Sequence, residues 1–178
     1  MSEVLSAITF HSPTQGEMAL EEVIGEIKKF LISHPDAEFS LVIGSDSQEK
    51  SVPASRQVGG TGQKFAHVIT AVIVHCKGFG GKYFWHRNKP VKIHSLREKI
   101  YAETFASLHF ATDFVPILKK TLNGKLPKYN LEIHIDVGEH GATREMIKEV
   151  VGIIRGTGFV AKTKPNSYGA SYIADRHT

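Results

Sequence analysis

Apolar positions along this chain recur with two periods, and each change of period marks an element. Leu20, Val23, Ile24, Ile27, Phe30 and Leu31 fall three or four residues apart, the stripe of an amphipathic helix. Thr14-Gln-Gly-Glu17 just before them has the spacing of a capping box, so a helix is predicted to begin near Gln15. His34-Pro35 ends it, because the residue before a proline is pushed out of the helical region. Residues 39–43 form a short apolar run that reads as a buried strand. A long polar loop is predicted over residues 49–63. The β-branched run at residues 65–75 reads as a second strand. Gly78 and Gly80-Gly81 mark a turn, and residues 82–86 read as a third strand, which completes an antiparallel meander.

The second half changes character. Ser95-Leu-Arg-Glu98 has capping-box spacing and opens a long helix that runs to about Phe114, before Pro116, or beyond it. Asn123-Gly124 marks a turn, and residues 131–135 read as a fourth strand. A helix over residues 143–154, bounded by Gly141 and Gly156, leads to a fifth strand at residues 158–163. A short terminal helix follows at residues 170–177. No internal repeat or low-complexity segment interrupts this order. A meander followed by crossover units predicts an α/β fold, with a mixed five-stranded sheet and helices on both faces. The length of 178 residues suits one domain, with residues 1–37 as an N-terminal helical extension and residues 38–178 as the core.

Four carboxylates sit where this order makes them informative. Asp46 and Asp136 each end an apolar strand-like run, Leu41-Val-Ile-Gly-Ser-Asp46 and Leu131-Glu-Ile-His-Ile-Asp136. Side chains at strand ends face the crevice where α/β proteins place their sites. Alternation puts Glu132, His134 and Asp136 on one face of the fourth strand. On the long helix, Leu96, Ile100, Glu103, Ser107, Phe110, Ala111 and Phe114 share one arc, and Glu103 is its only charge. A carboxylate on a core-facing stripe is costly unless paired. Asp175 lies in the terminal helix. Each has an ordinary local explanation: a turn cap for Asp46 and Asp136, a structural ion pair for Glu103, a surface position for Asp175. Their joint placement on strand, helix, strand and last helix is harder to explain that way.

The chain resembles the RNase H-like superfamily, and within it an uncharacterised bacterial branch, the YkuK-type family. The resemblance rests on Ile43-Gly-Ser-Asp-Ser-Gln48, Leu96-Arg-Glu-Lys-Ile-Tyr-Ala-Glu103, Ile133-His-Ile-Asp-Val-Gly138 and Lys164-Pro-Asn-Ser-Tyr-Gly-Ala-Ser-Tyr-Ile-Ala-Asp175, and covers residues 38–178. It implies Asp46 as a bridging metal ligand, with Glu103, Asp136 and Asp175 as the others. It implies two Mg²⁺ or Mn²⁺ ions, hydrolysis of phosphodiester bonds in RNA, DNA or a hybrid, and a product with a 5′-phosphate. His140 is a candidate proton shuttle, and Glu139 a substitute ligand. The pattern of His134, Asp136 and His140 also admits a zinc or iron site, while the ordinary reading of His134 is a hydrogen-bonded residue on the strand face. Two alternatives share the fold: a nucleic-acid-binding module without catalysis, and a phosphohydrolase acting on nucleotides.

Composition narrows the setting. The formal net charge of +4 suits a polyanionic partner. Arg56, Lys64, Arg87, Lys89 and Lys92 lie near Tyr83, Phe84 and Trp85 and are candidates to track a nucleic-acid backbone. Lys162, Lys164 and Arg176 flank Asp175 and are candidates to balance it or to grip phosphate. Gly59-Gly-Thr-Gly-Gln-Lys64 lacks P-loop spacing and reads as a hairpin connection. The single cysteine, Cys76, ends an apolar run and reads as a buried thiol; it excludes an internal disulfide and a cysteine-rich zinc site. The longest apolar run, residues 65–76, contains His67 and is too short to cross a bilayer as a helix. The first residues lack the pattern of a signal peptide, so a cytoplasmic location is expected.

Overall fold

The computed structural model describes residues 3–52, 62–123, 129–138 and 144–178. In chain order the elements are α1 (Glu3–Ser6), β1 (Phe10–Ser12), β2 (Gly16–Met18), α2 (Leu20–Ile32), β3 (Phe39–Val52) and β4 (Gln63–Cys76). Next come β5 (Gly80–Arg87), β6 (Val91–Ile93), α3 (Leu96–Thr121), β7 (Tyr129–His134), α4 (Ile147–Gly156) and β8 (Val160–Lys162). A 3-10 turn, Arg144–Met146, leads into α4. The chain closes with a π-helical turn, Gly169–Ala174, and a 3-10 turn, Asp175–His177.

Among the described residues one sheet runs β2-β1-β5-β4-β3-β7-β8, with β6 paired to β4. The expected meander is its middle: β3 pairs antiparallel with β4, and β4 with β5. The expected crossover strands also hold, since β7 is parallel to β3 and β8 is parallel to β7. The sheet exceeds the predicted five strands because β1, β2 and β6 contribute three residues each. Segments that short show no periodicity, so their pairing depends on tertiary contact alone.

One helix start differs from expectation, and the structure fixes one helix end that the sequence left open. The Thr14 to Glu17 spacing belongs to the β1–β2 hairpin, where Gly16 takes a φ of +73°. The first long helix begins at Leu20 instead, and Glu22 Oε2 accepts a 2.7 Å hydrogen bond from the Ala19 backbone. At α3 the predicted start holds: Ser95 Oγ accepts from the Glu98 amide at 3.2 Å, and Glu98 accepts from the His94 amide at 2.8 Å. This helix then continues past Pro116 to Thr121. Val115 and Leu118 are buried on either side of the proline, so core packing outweighs the one lost backbone hydrogen bond.

Helices cover both faces. Leu41, Ile43, Val72, Val74, Phe84 and Ile133 pack with α2, α3 and α4 in one large core, which includes Cys76 at 0 % exposure. On the other face Val42, Ile69, Ala71 and Ile73 meet Ala174 and Ile173 of the terminal helix. That contact is unusually close. A Cβ added at Gly44 would come within 2.5 Å of the Ala170 nitrogen, and one at Gly169 within 2.6 Å of Val42 Cγ1. Glycine at both positions therefore lets the terminal helix lie on β3. No helix among the described residues is long and apolar enough to cross a membrane.

Candidate functional site

The last parallel pair between β3 and β7 is Gly44 with His134. Asp46 and Asp136 each lie two residues beyond it, so the register carries both carboxylates past the end of pairing side by side. Asp46 does not sit at a strand end, as the sequence suggested. Strand β3 continues to Val52 as a hairpin with β4, and Asp46 pairs with Ile69. What ends near Asp46 is β7. The polar residues 49–52 belong to this extended hairpin, because β4 supplies hydrogen-bond partners throughout.

Asp46 is 8 % exposed, and its carboxyl is pushed up to about 6. Burial is the main cause. Lys99 opposes it, while the negative charges of Asp136 and Asp175 add to it. Glu103 is 4 % exposed on the buried side of α3 and is pushed up to about 7, again mainly by burial. Ser47 Oγ donates to Glu103 Oε1 at 2.7 Å, and Lys99 Nζ lies 3.4 Å from the same oxygen. Leu96, expected on that stripe, is 43 % exposed instead, because the inward face begins one turn later at Ile100.

Asp136 is half-buried, with Lys164 Nζ 2.9 Å from Oδ1. The contact lacks the angles of a hydrogen bond, so this buried oxygen has an ion-pair partner but no donor aligned on it. Lys164 was a candidate to balance Asp175; it pairs with Asp136. Asp175 is exposed and has no side-chain hydrogen bond or ion pair among the described residues. His140 and Glu139 lie outside the described residues, as do Arg56 and residues 53–61 of the predicted loop.

The four carboxylates thus share one electrostatic neighbourhood centred on Asp46. Among the described residues, no group of three or more His, Cys, Asp or Glu side chains stands ready to hold an ion. The donor chemistry nevertheless fits Mg²⁺ or Mn²⁺. These are oxygen ligands, two of them kept from easy ionisation by burial and mutual repulsion, and one buried oxygen lacks an aligned donor. Lys99 and Lys164 supply the positive charge meanwhile.

His134 follows its ordinary reading. Nδ1 accepts from the Gly169 amide at 3.0 Å, so Nε2 carries the proton toward Glu132 Oε2, also 3.0 Å away. With both nitrogens engaged and burial holding the ring neutral, this histidine fastens the terminal helix to β7. Tyr83 and Trp85 do not present an open surface, since His177 stacks on Trp85 with centroids 3.7 Å apart. Phe84 points into the large core.

Sequence reasoning missed the polar ladder behind the carboxylates. Ser107 Oγ donates to Ser45 Oγ at 2.8 Å, Ser45 meets Thr70 Oγ1 at 2.8 Å, and Asn88 Nδ2 donates to Thr70 at 2.8 Å. It locks α3 to β3 and β4 just below Glu103. Two signals for it were present: Ser45 and Ser47 alternate along a strand, and Ser107 lies one turn after Glu103.

The chain matches the Ribonuclease H-like family across residues 22–178. It is 31% identical over 180 residues to the uncharacterized protein YkuK of Bacillus subtilis strain 168, which covers 95% of this chain and 96% of that protein. No solved structure matches it.

Proposed function

The chain belongs to the ribonuclease H-like family, and from that premise we propose that it is a metal-dependent nuclease that hydrolyses phosphodiester bonds of nucleic acid. The observation that carries this reading is the β3–β7 register, which carries Asp46 and Asp136 side by side just past the end of the pairing. In the proposal Asp46, Glu103, Asp136 and Asp175 hold Mg²⁺ or Mn²⁺. When bound, such ions supply an activated water and neutralise charge on the leaving oxygen.

The chain's own residues support this in distinct ways. Ser47 orients the Glu103 carboxylate from one side. Lys99 and Lys164 neutralise Glu103 and Asp136 until a stronger cation displaces them. The Gly44–Gly169 contact lays the terminal helix on β3, and Asp175 after it lies within electrostatic reach of Asp46.

The test compares wild type with Asp46→Asn on RNA, DNA and hybrid substrates with Mg²⁺ or Mn²⁺. Cleavage by wild type alone supports the proposal. Equal cleavage by both proteins sinks it.

A second reading rests on the two lysines. If their ion pairs persist in the presence of divalent cations, the protein is a nucleic-acid-binding module without turnover. It would then bind in a salt-sensitive way and cleave with neither metal.

A further inference from the structure

We propose that the cleft between the end of α4, β8 and residues 163–166 binds the phosphate backbone of a nucleic-acid strand next to the scissile position. The inference rests on nucleic acid being the ligand, as in the reading above, but not on hydrolysis. The cleft has a volume of about 780 Å³ and opens to solvent. Arg155, Lys162 and Lys164 line it, with Thr163 and Asn166 as neutral polar neighbours and no carboxylate among the described lining residues. Arg155 and Lys162 form no ion pair among the described residues, so two positive charges stand without a paired counter-charge there.

Two features decide the ligand class. Lys164 belongs both to this cleft and to the ion pair with Asp136, 2.9 Å away. Gly138, on the same wall, packs against the Lys164 stem; a Cβ there would come within 3.4 Å of Lys164 Cβ. The cleft is therefore continuous with the carboxylates. Among the described residues its lining also contains no aromatic side chain, so a free nucleotide would find no ring there on which to stack its base. Unpaired cations without a stacking platform suit a backbone phosphate, which needs charge alone.

The experiment measures binding of labelled single-stranded RNA and DNA in EDTA, across a salt series, so that turnover plays no part. The proteins are wild type, the double variant Arg155→Ala/Lys162→Ala, and a control, Lys119→Ala/Lys120→Ala, in the last turn of α3. Thermal melts confirm that each is folded. The expected result is a loss of roughly tenfold or more for the first variant only, with a salt slope lower by about 2, one for each phosphate contact removed. A methylphosphonate strand, which lacks the charge, should bind both proteins equally.

Unchanged affinity in the Arg155/Lys162 variant overturns the proposal. So does failure of wild type to bind any strand at low salt, or displacement of the strand by inorganic phosphate or a mononucleotide at equal concentration. Weakened binding without Asp46-dependent cleavage would leave this subsite standing and end the nuclease reading. Unchanged binding with intact cleavage would do the reverse.

Discussion

Ser47 donates its hydroxyl proton to Glu103 across 2.7 Å and 56 residues of sequence. One residue earlier, Asp46 faces the opposite side of β3 by strand alternation. Helix α3 and the terminal helix thus contribute carboxylates from the two faces of one sheet, and each lies within electrostatic reach of Asp46.

This arrangement has a pH signature. Glu103 ionises near 7 instead of 4.5, and Asp46 near 6 instead of 3.8. Both values are raised, so the folded state holds protons that the unfolded chain has released. Their contribution to stability is full below about pH 4 and is lost as the pH rises through 7. We expect metal-free wild type to lose more stability than Glu103→Gln between about pH 5 and pH 8, by on the order of 2 kcal/mol. Chemical denaturation of both proteins in EDTA checks this, and parallel curves would refute it. Adding Mn²⁺ at the higher pH should stabilise wild type and leave the variant nearly unchanged.

The glycine contact makes a sharper structural prediction. Gly44→Ala drives a methyl group into the Ala170 backbone at 2.5 Å and should cost on the order of 2–3 kcal/mol. Gly25→Ala on α2 meets nothing within 4 Å and should stabilise by about 0.5–1 kcal/mol. Urea denaturation of the pair distinguishes a tight packing site from a tolerant one. Similar stability for the two variants would show that the terminal helix does not need this approach.

His86 offers the opposite pH sign. It lies between Phe10 and Phe110, with centroids at 5.4 and 5.1 Å. Neither ring nitrogen completes a hydrogen bond, and burial lowers its titration to about 4. The native ring stays neutral, so stability falls as pH drops from about 6.5 toward 4. His86→Leu should leave stability at neutral pH within about 1 kcal/mol and remove that acid sensitivity. Melting curves across this interval decide it, and identical acid profiles would contradict the assignment.

Trp85 is the only tryptophan in the chain, and its stack on His177, two residues after Asp175, makes it a reporter of the terminal turn. His177→Ala should expose the indole and move its emission to longer wavelength, at a cost of about 1 kcal/mol. His177→Phe should restore the wild-type spectrum. If both variants emit alike, the stack does not hold the turn that carries Asp175.

What was legible in the sequence is what local pattern can encode. The short apolar run at residues 39–43 and the alternation at residues 131–135 identified β3 and β7, and the Ser95–Glu98 spacing identified the start of α3. The charge of Glu103 on an apolar stripe marked it as anomalous, and it is among the most buried acidic groups. The same local logic misled at Thr14–Glu17, because a hairpin and a helix cap use similar residues. It left the end of α3 open at Pro116, because the energy that carries the helix onward comes from Val115 and Leu118 in the core.

By itself, then, the sequence determined the mixed α/β class and the order of the four carboxylates, since residue type, periodicity and capping are local properties. Only the tertiary structure decided that Asp46 lies within a long hairpin, that Ser47 and Lys99 meet Glu103, and that Lys164 pairs with Asp136 and opens onto a cationic cleft. These contacts join residues far apart in the chain. They depend on strand register and on the close approach of two glycines, and a pattern of nearest neighbours contains neither.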